Sequence, residues 1–218
     1  ALVGESGSGK SVTALSILQL LPSRITKYPK GRILFSEDGN EPVDLLTQSN
    51  DVLRKIRGNK IAMIFQEPMS SLNPVFTCGE QVMEAIVAHE SISQTAARER
   101  TIELFRKVQL PDPEGMLFRY PHQLSGGQKQ RVMIAMAMSC KPSLLICDEP
   151  TTALDVTVQK TILELIKQLQ QDEEMGVIFI THDLGVVAVI ADKASVMYKR
   201  VIVEHGNTAE IFCSPVHP

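Results

Sequence analysis

GESGSGKS, Gly4 to Ser11, is the stretch from which the rest of the chain can be read. It has the spacing G-x-x-x-x-G-K-[ST] of a P-loop. Gly4, Gly7 and Gly9 let the backbone turn where a Cβ would clash, so successive N–H groups, those of Glu5, Ser6 and Ser8 among them, can point inward at phosphate oxygens. Lys10 puts a cation beside the β- and γ-phosphates, and the Ser11 hydroxyl is a hard oxygen ligand suited to Mg²⁺. A helix start behind the loop presents bare N–H groups and a positive dipole end to the same anion. The flanks agree with this. Ala1-Leu2-Val3 is apolar and strand-like, and Val12 to Leu21 is a helical run stopped by Pro22. Only three residues precede the loop, fewer than the roughly five to six of an average strand, so the chain reads as a piece of a longer protein.

Outward from the loop, 218 residues at 44% hydrophobic suit one large domain or a domain with a subdomain. Lys plus Arg is 22 and Asp plus Glu is 25, a net charge of −3, so no basic excess points to nucleic acid. The longest apolar stretches, VMIAMAM and GVVAVIA, fall far short of the ~20 residues of a membrane helix. Cys78, Cys140, Cys147 and Cys213 lack C-x-x-C spacing, which argues against a disulfide framework or zinc site and fits a reducing compartment. Cys147, inside an apolar run, reads as a small core residue.

Along the chain, GRILFS (31–36) reads as a short strand and 51–57 as a short helix. KIAMIF (60–65) is a strand leading into the loop QEPMSSLNP. Residues 80–89 and 95–108 are helical; in the second, Ile102, Phe105 and Val108 recur on one side. Ser125 caps a helix formed by the C-terminal part of YPHQLSGGQKQRVMIAMAMSC. Strands at 144–147 and 176–181 flank an amphipathic helix at 158–169. A helix at 184–191 and the strands ASVMY and VIVE follow. Continuous apolar strands alternating with helices predict an α/β fold, its sheet mainly parallel and covered on both faces.

In such sheets ligands bind at the carboxyl ends of strands, where this chain has Gln66, Asp148, Glu149 and His182. Asp148 fits an acidic residue that holds Mg²⁺. Glu149 is the candidate for positioning and polarising an attacking water. Standing alone, Asp-Glu-Pro is equally a solvated turn after a core strand. His182 can hydrogen-bond a γ-phosphate, or can be a surface histidine while Asp183 caps the next helix. The Gln66 amide oxygen can reach Mg²⁺ or the water. LSGGQ, Leu124 to Gln128, opens a helix with a hydroxyl and two glycines, a second anion site. Either the chain takes two phosphate ligands, or Ser125, Gly126, Gly127 and Gln128 complete a partner's nucleotide site.

The motifs and their order resemble the ATP-binding cassette (ABC) ATPases across essentially the whole chain. GESGSGKS matches the Walker A motif, Gln66 the Q-loop, LSGGQ the signature, LLICDE the Walker B motif, Ala153-Leu154-Asp155 the D-loop and His182 the switch histidine. FQEPMSSLNP, RYPHQLSGG, DEPTTALDVTVQ and the terminal SPVHP look like the subgroup serving dipeptide, oligopeptide, nickel and glutathione importers. The resemblance implies a P-loop NTPase fold: one nucleotide-binding domain over 1–218, a small antiparallel β subdomain cut short at its start, and a helical signature subdomain at approximately 67–140. It implies ATP and Mg²⁺ as cofactors, with Ser11, Gln66 and Asp148 on the metal and Asp155 beside the nucleotide. It also implies a head-to-tail pair of ATPase subunits, identical or paralogous, with ATP between one P-loop and the other LSGGQ. Two membrane permease subunits and an extracytoplasmic solute-binding protein complete the implied assembly, at the cytoplasmic face of the inner membrane.

Two departures stand out. The family's adenine-stacking aromatic lies upstream of the P-loop, before the first residue here. MYKRVIVEHG has Lys199-Arg200 where the subgroup has a small residue and glycine, which predicts a changed hairpin. The expected function is ATP hydrolysis powering uptake of peptides or related small solutes. The alternative is a soluble ABC ATPase of DNA repair or translation, but the repair type's long coiled coil has no heptad run to form it here. An exporter fits less well because RYPHQ precedes the signature. A GTPase needs N-K-x-D, whereas Asn59-Lys60 is followed by Ile-Ala.

Overall fold

The computed structural model describes residues 1–37, 39, 41–66, 71–152 and 154–216. In chain order the elements are β1 (Leu2–Gly4), α1 (Lys10–Ile17), β2 (Leu34–Phe35), β3 (Val43–Asp44), α2 (Asn50–Ile56), β4 (Ile61–Ile64), α3 (Cys78–Val87), α4 (Gln94–Lys107), α5 (Pro113–Met116), α6 (Gly126–Ala137), β5 (Leu144–Asp148), α7 (Val156–Asp172), β6 (Gly176–Thr181), α8 (Leu184–Ile190), β7 (Lys193–Tyr198), β8 (Val201–Asn207) and α9 (Thr208–Cys213). They form two compact units, residues 1–57 with 178–218, and residues 58–177.

In the first unit β1 lies between two parallel neighbours. Val3 pairs with Thr181 of β6 and with Val196 of β7. β8 returns antiparallel to β7. Val3, Val187 and Ala194 form a buried cluster, covered by Ala1, Ala191, Val196 and Ile211. β2 and β3 make a small antiparallel pair, Leu34 opposite Asp44. The six-residue run GRILFS contributes only Leu34 and Phe35 to it. The reason is local: the Asp44 carboxylate accepts from the Ile33 and Leu46 N–H groups and folds the chain into a turn there. α1 ends at Ile17, well before Pro22. Gln19 takes a left-handed φ of 48°, and the Leu20 N–H reaches back to the Leu15 carbonyl, closing the helix. Arg57 then donates to the Leu18 and Gln19 carbonyls at 2.6 and 2.9 Å, satisfying acceptors that the helix end leaves bare.

In the second unit β4 and β5 pair in parallel, Ile61 opposite Leu144 and Ile64 opposite Cys147. Leu145, Ile146 and Cys147 are all fully buried although successive strand residues face opposite ways, so this strand is covered on both faces. α7 buries Ile162, Leu165, Ile166 and Leu169 along one stripe, each contributing roughly 1.5–3 kcal/mol of apolar burial. α4 buries Ile102 and Phe105 as their spacing predicts. α3 opens on a capping box in which the Thr77 hydroxyl accepts from the Glu80 N–H and the Glu80 carboxylate accepts from the Thr77 N–H. The bond from the Thr77 backbone holds the Glu80 carboxyl below the usual carboxylate range.

Candidate functional site

The P-loop leaves β1 at Gly4, where β7 approaches so closely that a Cβ would lie 2.1 Å from the Met197 carbonyl oxygen. Only glycine fits there. The loop closes with the Ser8 N–H donating to the Glu5 carbonyl at 3.1 Å. Gly9, at φ 107°, starts α1 with no side-chain cap. Lys10 is only 5% exposed. Its Nζ donates to the Gly4 and Glu5 carbonyls at 2.7 and 3.0 Å, which arches the lysine over its own loop. The Ser8 hydroxyl is buried and has no hydrogen-bond partner among the described residues. An uncapped helix start, a buried cation and an orphaned hydroxyl in one loop fit an anion with several oxygens.

The second unit holds the carboxylates. Asp148, 4% exposed, is the last residue of β5. Glu149 follows with a left-handed φ of 47°, a conformation that costs a non-glycine residue on the order of 1 kcal/mol. It precedes Pro150, and the residue before a proline avoids the right-handed helical region. The outcome is a held carboxylate: Glu149 Oε2 accepts from Gln66 Nε2 at 3.1 Å and from the Thr152 hydroxyl at 3.0 Å. Gln66 and Glu149 come from the ends of the paired strands β4 and β5, as the strand-end argument predicts. Thr152 was not among the expected residues. Its place three residues into the turn is the signal for it, since the Thr152 N–H also closes that turn on the Glu149 carbonyl. Burial, with the Asp148 charge adding to it, pushes the Cys147 thiol far up and leaves it an inert core group.

The signature stretch starts α6. The Ser125 hydroxyl accepts from the Gln128 N–H at 3.3 Å, and the Gln128 side-chain oxygen accepts from the Ser125 N–H at 3.0 Å. A Cβ on Gly127 would lie 2.7 Å from Val158 Cγ1, so this helix start is packed on the first turn of α7. Asp155 caps α7, its Oδ1 accepting from the Val158 N–H at 2.9 Å. The signature and the stretch around Asp155 are therefore neighbours. His182, at the end of β6, is exposed, and Asp183 caps α8 through the Gly185 and Val186 N–H groups. Ala153, and residues 67–70 of FQEPMSSLNP, lie outside the described residues. Among the described residues no cluster of His, Cys, Asp or Glu could hold a metal by itself. The donors expected for Mg²⁺ are a hydroxyl (Ser11) in the first unit and, in the second, an amide oxygen (Gln66) and a carboxylate (Asp148), each by itself a hard oxygen donor that suits that ion.

Residues 1–152 match the ABC transporter family. The chain belongs to the ABC transporter family. Among its ABC relatives, the glutathione import ATP-binding protein GsiA of Salmonella paratyphi A is 54% identical over all 218 residues, and that of Escherichia coli (strain K12) 53%. The chain spans 35% of the length of these relatives. Solved ABC structures agree with the fold. The post-hydrolysis dimer of the ATP-binding cassette MJ0796, bound to ADP and Pi, superposes with a TM-score of 0.80 at 29% identity, over 95% of this chain and 84% of that one. Clostridium perfringens cbiO1, part of the ABC transporter complex cbiONQ, gives 0.79 at 29% identity, over 98% and 78%.

Proposed function

We propose that this chain is the ATP-hydrolysing part of an importer for peptides or related small solutes. The observation that carries the proposal is the Glu149 carboxylate, fixed by Gln66 and Thr152 at the end of β5. A carboxylate held there can orient a water and take its proton. The P-loop binds the triphosphate through its N–H groups, the Ser8 hydroxyl and Lys10. Ser11, Gln66 and Asp148 are the residues that would hold Mg²⁺, which would supply positive charge for the β- and γ-phosphates. His182 aligns the γ-phosphate. Ser125, Gly126, Gly127 and Gln128, with Asp155 beside them, complete the nucleotide site of a second ATPase unit. The relatives named for glutathione import support a peptide-like cargo over DNA repair or translation.

Coupling to transport runs through the second unit, whose residues 67–140 act as its helical signature subdomain. A cavity of about 510 Å³ there is lined by Met63, Phe65, Ala85, His89, Met133 and Met136. Phe65 and Ser71, also in its wall, flank the loop after Gln66 in sequence. Flexible, apolar methionines suit a socket for a short helix of a permease subunit. No helix among the described residues is long and apolar enough to cross a membrane. The importer reading gives membrane attachment to the permease subunits, at the cytoplasmic face. The substitution Glu149→Gln in the full-length protein tests the chemistry. ATP binding persists and turnover falls by at least about 100-fold. Near-normal turnover would remove Glu149 from its role.

A further inference from the structure

β7 and β8 are joined by a two-residue turn, with Tyr198 paired to Val201 across it. Both turn residues, Lys199 at φ 46° and Arg200 at φ 71°, are left-handed. Two-residue hairpins of this shape favour Asn-Gly, because a Cβ is strained at positive φ. Two long cationic side chains therefore occupy positions that the backbone would give to other residues. Strain held in place points to a use for the side chain.

The turn lies against the phosphate loop. Met197 is paired with Gly4 through β7 and β1. A Cβ on Gly9 would lie 3.6 Å from Met197 Sδ, 3.8 Å from Arg200 Cγ and 4.0 Å from Arg200 Cα. Gly9 is the residue that opens α1, so the Arg200 stem runs alongside the helix start where the loop presents its N–H groups. The two cations of the turn differ. Lys199 Nζ sits over the Tyr198 ring, 5.0 Å from its centroid. Arg200 is exposed and makes no hydrogen bond or ion pair among the described residues. Its guanidinium begins two bonds beyond Cγ and is free to turn toward an anion in the loop.

We propose that Arg200 is a further phosphate-binding residue, a second side-chain cation besides Lys10 for the nucleotide in the P-loop. This rests on the reading of the P-loop as an ATP site. A planar guanidinium matches phosphate oxygens with two parallel N–H donors. The cost of the strained turn is then offset by charge delivered at the loop.

Arg200→Gly and Arg200→Lys, made in the full-length protein, test it with opposite signs for folding and binding. Glycine relaxes the turn, so Arg200→Gly melts at the same or a higher temperature, while its ATP dissociation constant rises about tenfold. Lysine restores most of the affinity, and the affinity of Arg200→Gly falls less steeply with salt than that of the wild type. ATP affinity of Arg200→Gly within about twofold of wild type would overturn the proposal. So would a matched loss of melting temperature and affinity in both variants, the mark of a purely structural residue. A wild-type protein that binds no ATP would overturn the underlying P-loop reading and this proposal with it.

Discussion

Two glycine-rich helix starts in this chain look alike in sequence and differ in structure. α1 begins at Gly9 with no side-chain cap, beside an orphaned Ser8 hydroxyl and the buried Lys10. α6 begins at Ser125, whose hydroxyl and N–H are both engaged by Gln128. The first leaves donors bare and adds a charge, so it is prepared for an anion before one arrives. In the second, the Ser125 and Gln128 N–H groups are each engaged by the other residue's side chain, and no cation lies within LSGGQ. A phosphate there meets a capped start with no charge in the motif to hold it, so it gains less than at the P-loop. On the proposed reading, initial nucleotide binding belongs to the P-loop. On the same reading, the signature acts when a nucleotide held by another ATPase unit is pressed against it.

The comparison predicts substitutions of opposite character at the two starts. Lys10→Ala has the largest effect: ATP affinity in the full-length protein, followed by nucleotide titration, falls on the order of 100-fold because a charge-assisted contact is lost. Ser8→Ala comes next. Titration shows affinity lowered about threefold, while thermal melting is unchanged or raised, because a buried hydroxyl without a partner is removed. Ser125→Ala has the smallest effect on binding. It costs about 1 kcal/mol of stability through the lost cap, read by denaturant unfolding, and leaves ATP affinity unchanged. A loss of ATP affinity in Ser125→Ala equal to that in Ser8→Ala would erase the distinction.

Much of this was legible in the sequence, for identifiable reasons. The P-loop, LSGGQ and the Asp148-Glu149 pair depend on fixed residue types at fixed spacing, and GVIFIT is a strand over its whole predicted length. Helix ends were less legible. α1, α4 and α7 all close through left-handed residues that are not glycine: Gln19, Gln109 and Glu174. In each, an N–H reaches back five residues, from Leu20 to Leu15, Leu110 to Phe105 and Met175 to Gln170. No glycine marks these stops, so only Pro22 offered a boundary for α1, and it lies too far on. The hairpin at Lys199-Arg200 was expected to be changed; the structure gives it two left-handed turn residues, a conformation not legible from a Lys-Arg pair. That Arg200 lies beside Gly9 was not legible, because the β1–β7 pairing that brings them together joins residues nearly the whole chain apart. Thr152 was missed because its bond to Glu149 depends on a turn conformation and not on spacing alone.

The most direct test of the two-start account measures ATP binding and turnover side by side in Ser125→Arg and Lys10→Ala, each in the full-length protein. A bulky cation at the signature start blocks completion of a neighbouring site but leaves the P-loop untouched. The account predicts that Ser125→Arg binds ATP within about twofold of wild type and hydrolyses almost none, while Lys10→Ala loses binding and turnover together. If Ser125→Arg weakened ATP binding as severely as Lys10→Ala, the two helix starts would be equal contributors to first capture, contradicting the account.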